Sequence, residues 1–177
     1  MRRKEKEITS REKILEVLKR CSVINLGIND GEYPYVITYN YGFVDAEEGL
    51  VLYFHGASEG KTPDLLRANN KVGFIIYNDY GVEIGETVCG STTHFESVCG
   101  YGSVEFIMDP VEIDKALRVL IQHDGDMRMD DFHAETFKKM AVYKLKVADF
   151  SCKVADPNTS AMYQAWANKT MKDAKNK

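Results

Sequence analysis

The chain has 177 residues, 44% of them hydrophobic, and 23 Lys and Arg against 27 Asp and Glu give a formal charge of −4. That length supports a domain with a proper core, while the acidic balance leaves no basic stripe to neutralise a nucleic-acid backbone. No segment approaches the ~20 apolar residues of a membrane span; the basic start Met1-Arg2-Arg3-Lys4 is countered at once by Glu5 and Glu7, so a soluble, cytoplasmic protein without a signal peptide is expected.

Thr9 and Glu12 have the spacing of a capping box, and Ile14, Leu15, Val17, Leu18 and Cys21 then share one face, which predicts a first helix. A hairpin follows: Val23 to Ile28, a turn at Asn29-Asp30-Gly31, and a strand from Tyr33 to Phe43. The odd positions of that strand are Tyr33, Tyr35, Ile37, Tyr39 and Tyr41, and the even ones Pro34, Val36, Thr38, Asn40 and Gly42. Alternation makes one face bulky and the other small or polar, and a flat ligand could lie over the small one.

After a turn at Asp45 to Gly49, the apolar strand Leu50 to Phe54 delivers His55 into a small-residue loop that ends at Gly60-Lys61. Thr62 is placed as an N-cap, Pro63 suits the first helical position, and Asp64 complements the helix dipole. Backbone N–H groups at a helix start, a flexible glycine and a lysine converge there, which makes a seat for a phosphate group. A turn carrying a surface lysine is the competing reading. The nucleotide-binding P-loop is excluded by count, because Gly56 and Gly60 enclose only Ala57, Ser58 and Glu59 where that motif needs one residue more. A phosphate monoester fits better than a nucleoside triphosphate.

Lys71 to Tyr77 reads as the next strand, and Thr92 to Ile107 as a long one interrupted by Gly100 and Gly102. Asp109-Pro110 then opens a helix whose apolar face is Ile113, Ala116, Leu117, Leu120 and Ile121. A polar loop from Gln122 to Asp130, a short helix from Asp131 to Met140 and a last strand from Val142 to Phe150 complete the pattern. Five or six mainly antiparallel strands with helices between them predict a barrel-like α+β domain over residues 1–156, followed by a helical tail over 157–177.

His55, at the end of its strand beside the phosphate loop, could orient a ligand, donate a proton or ligate iron; a hydrogen-bonded structural histidine is the plainer reading. Cys89, His94 and Cys99 match no closed zinc motif. His123, Asp124, Asp126 and His133 cluster in a loop that reads as solvated, with a substrate entrance as the alternative. The four cysteines, Cys21, Cys89, Cys99 and Cys152, form no Cys-x-x-Cys pair and read as reduced thiols.

The order and spacing of Tyr33-Pro34-Tyr35-Val36, Tyr53-Phe54-His55-Gly56-Ala57, Gly60-Lys61, and Phe95-Glu96-Ser97-Val98 with Gly100, behind the basic N-terminus, carry a resemblance. Together they resemble the nitroimidazole-resistance branch of the pyridoxamine 5′-phosphate oxidase-like flavoproteins, from the N-terminus to about Asp149. The resemblance implies a split β-barrel that binds FMN at the interface of a homodimer, each flavin touching both chains. It implies that Ser58 and Lys61, with His55, Gly56, Ala57 and Gly60 around them, hold the phosphate end. It places Val36, Ile37, Thr38, Tyr39 and Asn40 along the isoalloxazine, brings Ser97 and Val98 in from a neighbouring strand, and puts His55 near the flavin or its substrate as the catalytic residue.

The expected activity is electron transfer from reduced FMN to a small acceptor, nitroaromatic or quinone-like, with NAD(P)H as a candidate donor. A flavin carrier or sensor without turnover, or a haem-binding relative, are the alternatives. The chain lacks the arginine-rich phosphate strand of the classical vitamin B6 oxidases, and Thr62 stands where relatives often carry a second basic residue. A charge-assisted hydrogen bond contributes roughly 1.5–3 kcal/mol and a helix terminus about 0.3–1, against the ~8 that micromolar binding needs. Burial of the ring must therefore supply the remainder.

Overall fold

A computed structural model describes residues 4–125 and 139–155. A single turn of 3-10 helix at Lys4–Lys6 leads into β1 (Glu7–Ile8), α1 (Arg11–Arg20), β2 (Val23–Ile28), β3 (Tyr35–Asn40), β4 (Gly42–Ala46) and β5 (Gly49–Ala57). Then come α2 (Lys61–Ala68), β6 (Lys71–Glu83), β7 (Thr92–Ile107), α3 (Pro110–Asp124) and β8 (Met140–Val154). Hydrogen bonds join the strands in the order β3-β2-β6-β7-β8-β5-β4, with β1 on β8, and β1 with β8, β2 with β3 and β6, β4 with β5, and β5 with β8 pair antiparallel. The α+β expectation holds, with more strands than the five or six expected.

Two differences account for the extra strands. The predicted run from Tyr33 to Phe43 breaks at Tyr41, because the chain leaves β2 there and pairs with β5. Gly42 makes that change possible: a β-carbon on it would lie 2.6 Å from the Val119 carbonyl oxygen of α3. Two-residue β1 carries too little pattern to be read from sequence. The short helix expected at Asp131 to Met140 falls mainly outside the described residues, as does the tail 157–177; Met140 itself begins β8.

The chain divides into two compact units. The described residues of the first are 4–20, 77–98 and 151–155. In it α1 starts one residue later than the capping box implies, since Ile14 N–H donates to the Ser10 carbonyl at 3.0 Å. Ile14, Val17 and Leu18 form its buried stripe as expected. The fully buried Glu96 accepts from Arg20 Nη2 at 2.6 Å and from the Tyr80 hydroxyl at 2.5 Å. Buried His94 faces Glu83 Oε2 at 2.7 Å and the Ala155 carbonyl at 3.3 Å.

The described residues of the second unit are 21–76, 99–125 and 139–150. Asp109 caps α3 by accepting from Val111 and Glu112, with Pro110 in the first turn as the sequence predicts. Ala116, Leu117 and Leu120 then pack against Tyr53, Ile107 and Val142. Lys144 ties β8 to the same helix through Glu112 at 2.6 Å. Cys21 is buried and Cys99 exposed in this unit, while Cys152 is buried and Cys89 exposed in the other; none of the four is joined in a disulfide. Among the described residues no helix is long and apolar enough to cross a membrane.

Candidate functional site

The strand alternation of β5 buries Leu50, Leu52 and Phe54 on one side and ends at Ala57, where the chain turns through Ser58 to Gly60 into α2. Gly60, at φ 112°, is the N-cap residue. That backbone region is open to glycine and strained for other residues. The helix therefore begins at Lys61, two residues earlier than a Thr62 cap would place it. Thr62 is drawn inward instead: its side chain is buried and hydrogen-bonds Tyr39.

That correction matters for the chemistry. Among the described residues α2 has no side-chain cap, so the amides of Lys61 and Thr62 have no partner inside the helix. The loop itself is braced from behind. Ser58 N–H donates to the Lys139 carbonyl at 3.1 Å, and Arg67 donates to the Ser58 carbonyl at 3.3 Å while pairing with Asp64 at 3.0 Å. The Ser58 amide is thus spent on the fold, and only its hydroxyl is left for a ligand.

Lys61 turns toward the β2–β3 hairpin. Its ammonium lies 2.6 Å from Asp30 Oδ2 and 4.9 Å from the centroid of the Tyr35 ring. Tyr39, two pairs further along β3, packs its ring on Gly56, where a β-carbon would come within 3.1 Å of it, and lies 5.1 Å from Phe54. Phe54 in turn stacks on Tyr143 at 5.0 Å. Burial raises the Tyr39 phenol, partly offset by the hydrogen bond with Thr62, and burial pushes Tyr143 up to about 12. Both phenols stay protonated at neutral pH and act as O–H groups.

The structure thus brings Tyr35 and Tyr39 of β3 onto the loop that carries Gly56, Ala57, Ser58, Gly60 and Lys61. The side chains that reach this loop are the odd ones of β3. The small residues Val36, Thr38 and Asn40 project from the other face, so a ring lying on them would be across the strand from the proposed phosphate seat. What β3 offers on both counts is its edge, since it ends the hydrogen-bonded path and has no second strand partner among the described residues.

One expected residue, His55, stands apart from this group. Alternation along β5 carries His55, which is exposed, to the face opposite Phe54 and Gly56. Ser97 and Val98 lie in the other compact unit, where both side chains are buried. Of the polar cluster expected in a loop, His123 instead lies in the last turn of α3 and is held in the fold: its Nε2 is 2.7 Å from the Cys21 carbonyl oxygen and its ring 4.7 Å from that of Tyr41. Asp126 and His133 lie outside the described residues.

Sequence reasoning did not single out Asp30, Thr62 as a buried partner of Tyr39, or Arg67. Only Arg67 left a local trace, its spacing of three from Asp64 on one helix face.

The family profile described as pyridoxamine 5′-phosphate oxidase matches residues 10–154. No curated protein matches the chain significantly. Among solved structures, a candidate 5-nitroimidazole antibiotic resistance protein from Bacteroides thetaiotaomicron superposes with a TM-score of 0.71 at 27% identity, covering 84% of this chain and 86% of that one. The flavocytochrome Anf3 from Azotobacter vinelandii gives 0.72 at 23% identity over 87% and 71% of the two chains. An FAD and heme binding protein from Mycobacterium smegmatis gives 0.75 at 18% over 90% and 79%. The last two likenesses concern the fold alone. The expected split-barrel α+β architecture is what these structures share with the chain.

Proposed function

The chain belongs to the pyridoxamine 5′-phosphate oxidase family, and on that premise we propose that it is an FMN-dependent oxidoreductase that passes electrons to a small nitroaromatic or quinone-like acceptor. The observation that carries this reading is the uncapped start of α2 beside Lys61, fastened by Tyr39 to the open edge of β3. Backbone N–H groups, the Ser58 hydroxyl and one ammonium suit a phosphate monoester. They are too few for a triphosphate, and the position directly after Lys61 is Thr62 rather than a second basic residue.

FMN, when bound, supplies the redox chemistry. The residues of this chain bind and orient. Lys61 and the amides of Lys61 and Thr62 take the phosphate, and the β3 edge over Val36 to Asn40 offers backbone N–H and C=O groups to the polar rim of the ring. Tyr39 fixes the separation of the two. His55, on the other face of β5, holds no part of the flavin bound by its own chain.

A homodimer completes the proposal. The outward face of β3–β2–β6 carries exposed Val36 and Ile75 across the glycines Gly27 and Gly73. A low surface of this kind permits close approach by a second copy, and burying the ring there supplies what the phosphate contacts cannot.

Reconstitution tests the reading. Protein mixed with FMN and passed through a desalting column is expected to retain a flavin band near ~450 nm, to lose it on anaerobic addition of NADH or NADPH, and to regain it when a nitroaromatic or quinone is added. Retention without reduction by either donor would leave a carrier, and a band near ~400 nm on purification would mean haem instead.

A further inference from the structure

A lysine in the first turn of a helix sits at the unfavourable end of the dipole, where the peptide N–H groups already concentrate positive charge. In α2 that place belongs to Lys61, and the acidic residue of the same turn, Asp64, is paired with Arg67 at 3.0 Å. Compensation comes from outside the helix. Asp30, in the turn between β2 and β3, puts Oδ2 at 2.6 Å from Lys61 Nζ, with the Tyr35 ring beneath the ammonium.

We propose that Asp30 is an internal competitor for the phosphoryl group: it holds Lys61 when no phosphate monoester is bound and is displaced when one arrives. The proposal rests on the reading of Lys61 as a phosphate ligand. Its physical basis is that binding here exchanges one anion for another. A phosphate monoester carries about −1.5 to −2 charges at neutral pH, so it outcompetes a single carboxylate for the ammonium and the helix end. It also meets repulsion from the carboxylate it displaces. Both effects lower affinity for the phosphorylated flavin and leave affinity for the bare ring untouched. Asp30 therefore sets how readily the cofactor exchanges, and Tyr35 keeps the lysine stem in place during the hand-over.

The test is a fluorescence-quenching titration of FMN and of riboflavin against the full-length protein and the variants Asp30→Asn, Asp30→Ser, Lys61→Gln and Asp30→Asn/Lys61→Gln, each checked for an unchanged melting profile. Two Asp30 variants are used so that a fault in the turn is not mistaken for an effect of charge. Both are expected to bind FMN roughly three- to tenfold more tightly than wild type, the size of one partly exposed charge interaction plus the lost repulsion. Riboflavin should bind as before, and adding Asp30→Asn to Lys61→Gln should give a smaller gain than adding it to wild type, because only the repulsion between carboxylate and phosphate is then relieved. Equal or weaker FMN binding by both Asp30 variants, or an equal gain for riboflavin, overturns the competitor role. If Lys61→Gln itself leaves FMN affinity unchanged, the assignment of Lys61 to the phosphate is what fails, and the competitor role falls with it.

Discussion

Gly102→Ala should unfold at a much lower urea concentration than wild type, with a loss of about 3 kcal/mol or more. A β-carbon at this position would run into the Lys146 carbonyl oxygen and sit 3.0 Å from Leu145 Cδ1. Neither can yield cheaply. Lys146 and Leu145 are fixed on their other side by pairing with Val51 and Leu52 of β5, so moving β8 away would also disturb the strand that carries Phe54 and the phosphate loop. Typical domains are stable by only about 5–15 kcal/mol, so the loss should be visible in both the unfolding midpoint and the yield of folded protein. A midpoint equal to that of wild type would show that β7 and β8 are not packed as closely as described.

The second large effect is expected at Glu96. Its buried carboxylate accepts from Arg20 Nε at 3.0 Å and Nη2 at 2.6 Å, from the Tyr80 hydroxyl at 2.5 Å and from Asn78 Nδ2 at 3.4 Å. Glu96→Ala removes the acceptor that the Arg20 guanidinium and the buried Tyr80 phenol share. Breaking a buried ion pair from one side costs about 3–5 kcal/mol, and the lower end applies here because the Arg20 side chain remains 29% exposed. Tyr80→Phe loses the hydroxyl that donates to Glu96 and accepts from Asn78 Nδ2 at 3.3 Å, and should cost about 1.5–3 kcal/mol.

The same site predicts a pH dependence. Burial, then the hydrogen bond to Glu96 and its charge, raise the Tyr80 phenol above its ordinary value of 10.0. A raised value in the folded state stabilises fully below pH 10 and loses that contribution as pH climbs further. Alkaline unfolding of Tyr80→Phe should therefore begin at higher pH, relative to its own neutral stability, than that of wild type. Urea titrations at neutral and alkaline pH measure both effects. Loss of less than about 1 kcal/mol in Glu96→Ala would contradict the buried network.

How far such features can be read from the chain depends on whether they are local. The Asp109-Pro110 start of α3, the limits of β7 and the inside-outside alternation of β3 were legible because a cap, a period of two and a helical stripe are written in adjacent residues. The start of α2 was not. Thr62 has the right chemistry for an N-cap, but Tyr39 and the core claim its side chain, and the positive φ of Gly60 lets the helix begin earlier. The strand expected to end at Tyr77 continues to Glu83, with Asn78 donating to the Arg20 carbonyl at 3.0 Å, a contact distant in sequence.

The candidate site divides in the same way. Gly56, Ser58, Gly60 and Lys61 are neighbours in sequence, so the candidate anion seat they make can be proposed from sequence alone. Which face of β3 meets that loop was not, because alternation gives two faces without saying which one packs; Tyr39 against Gly56 decides it. Asp30 joins the site only through the tertiary approach of the hairpin turn to α2. His55 shows the opposite limit: it is next to the loop in sequence, yet a strand sends consecutive side chains to opposite faces.

Crystals of the full-length protein grown with FMN give the most direct test of the phosphate seat. The account predicts phosphate oxygens within ~3 Å of the Lys61 and Thr62 amides, the Lys61 ammonium turned from Asp30 to the phosphate, and the ring along the edge of β3. Phosphate bound elsewhere, with Lys61 still on Asp30, would contradict it.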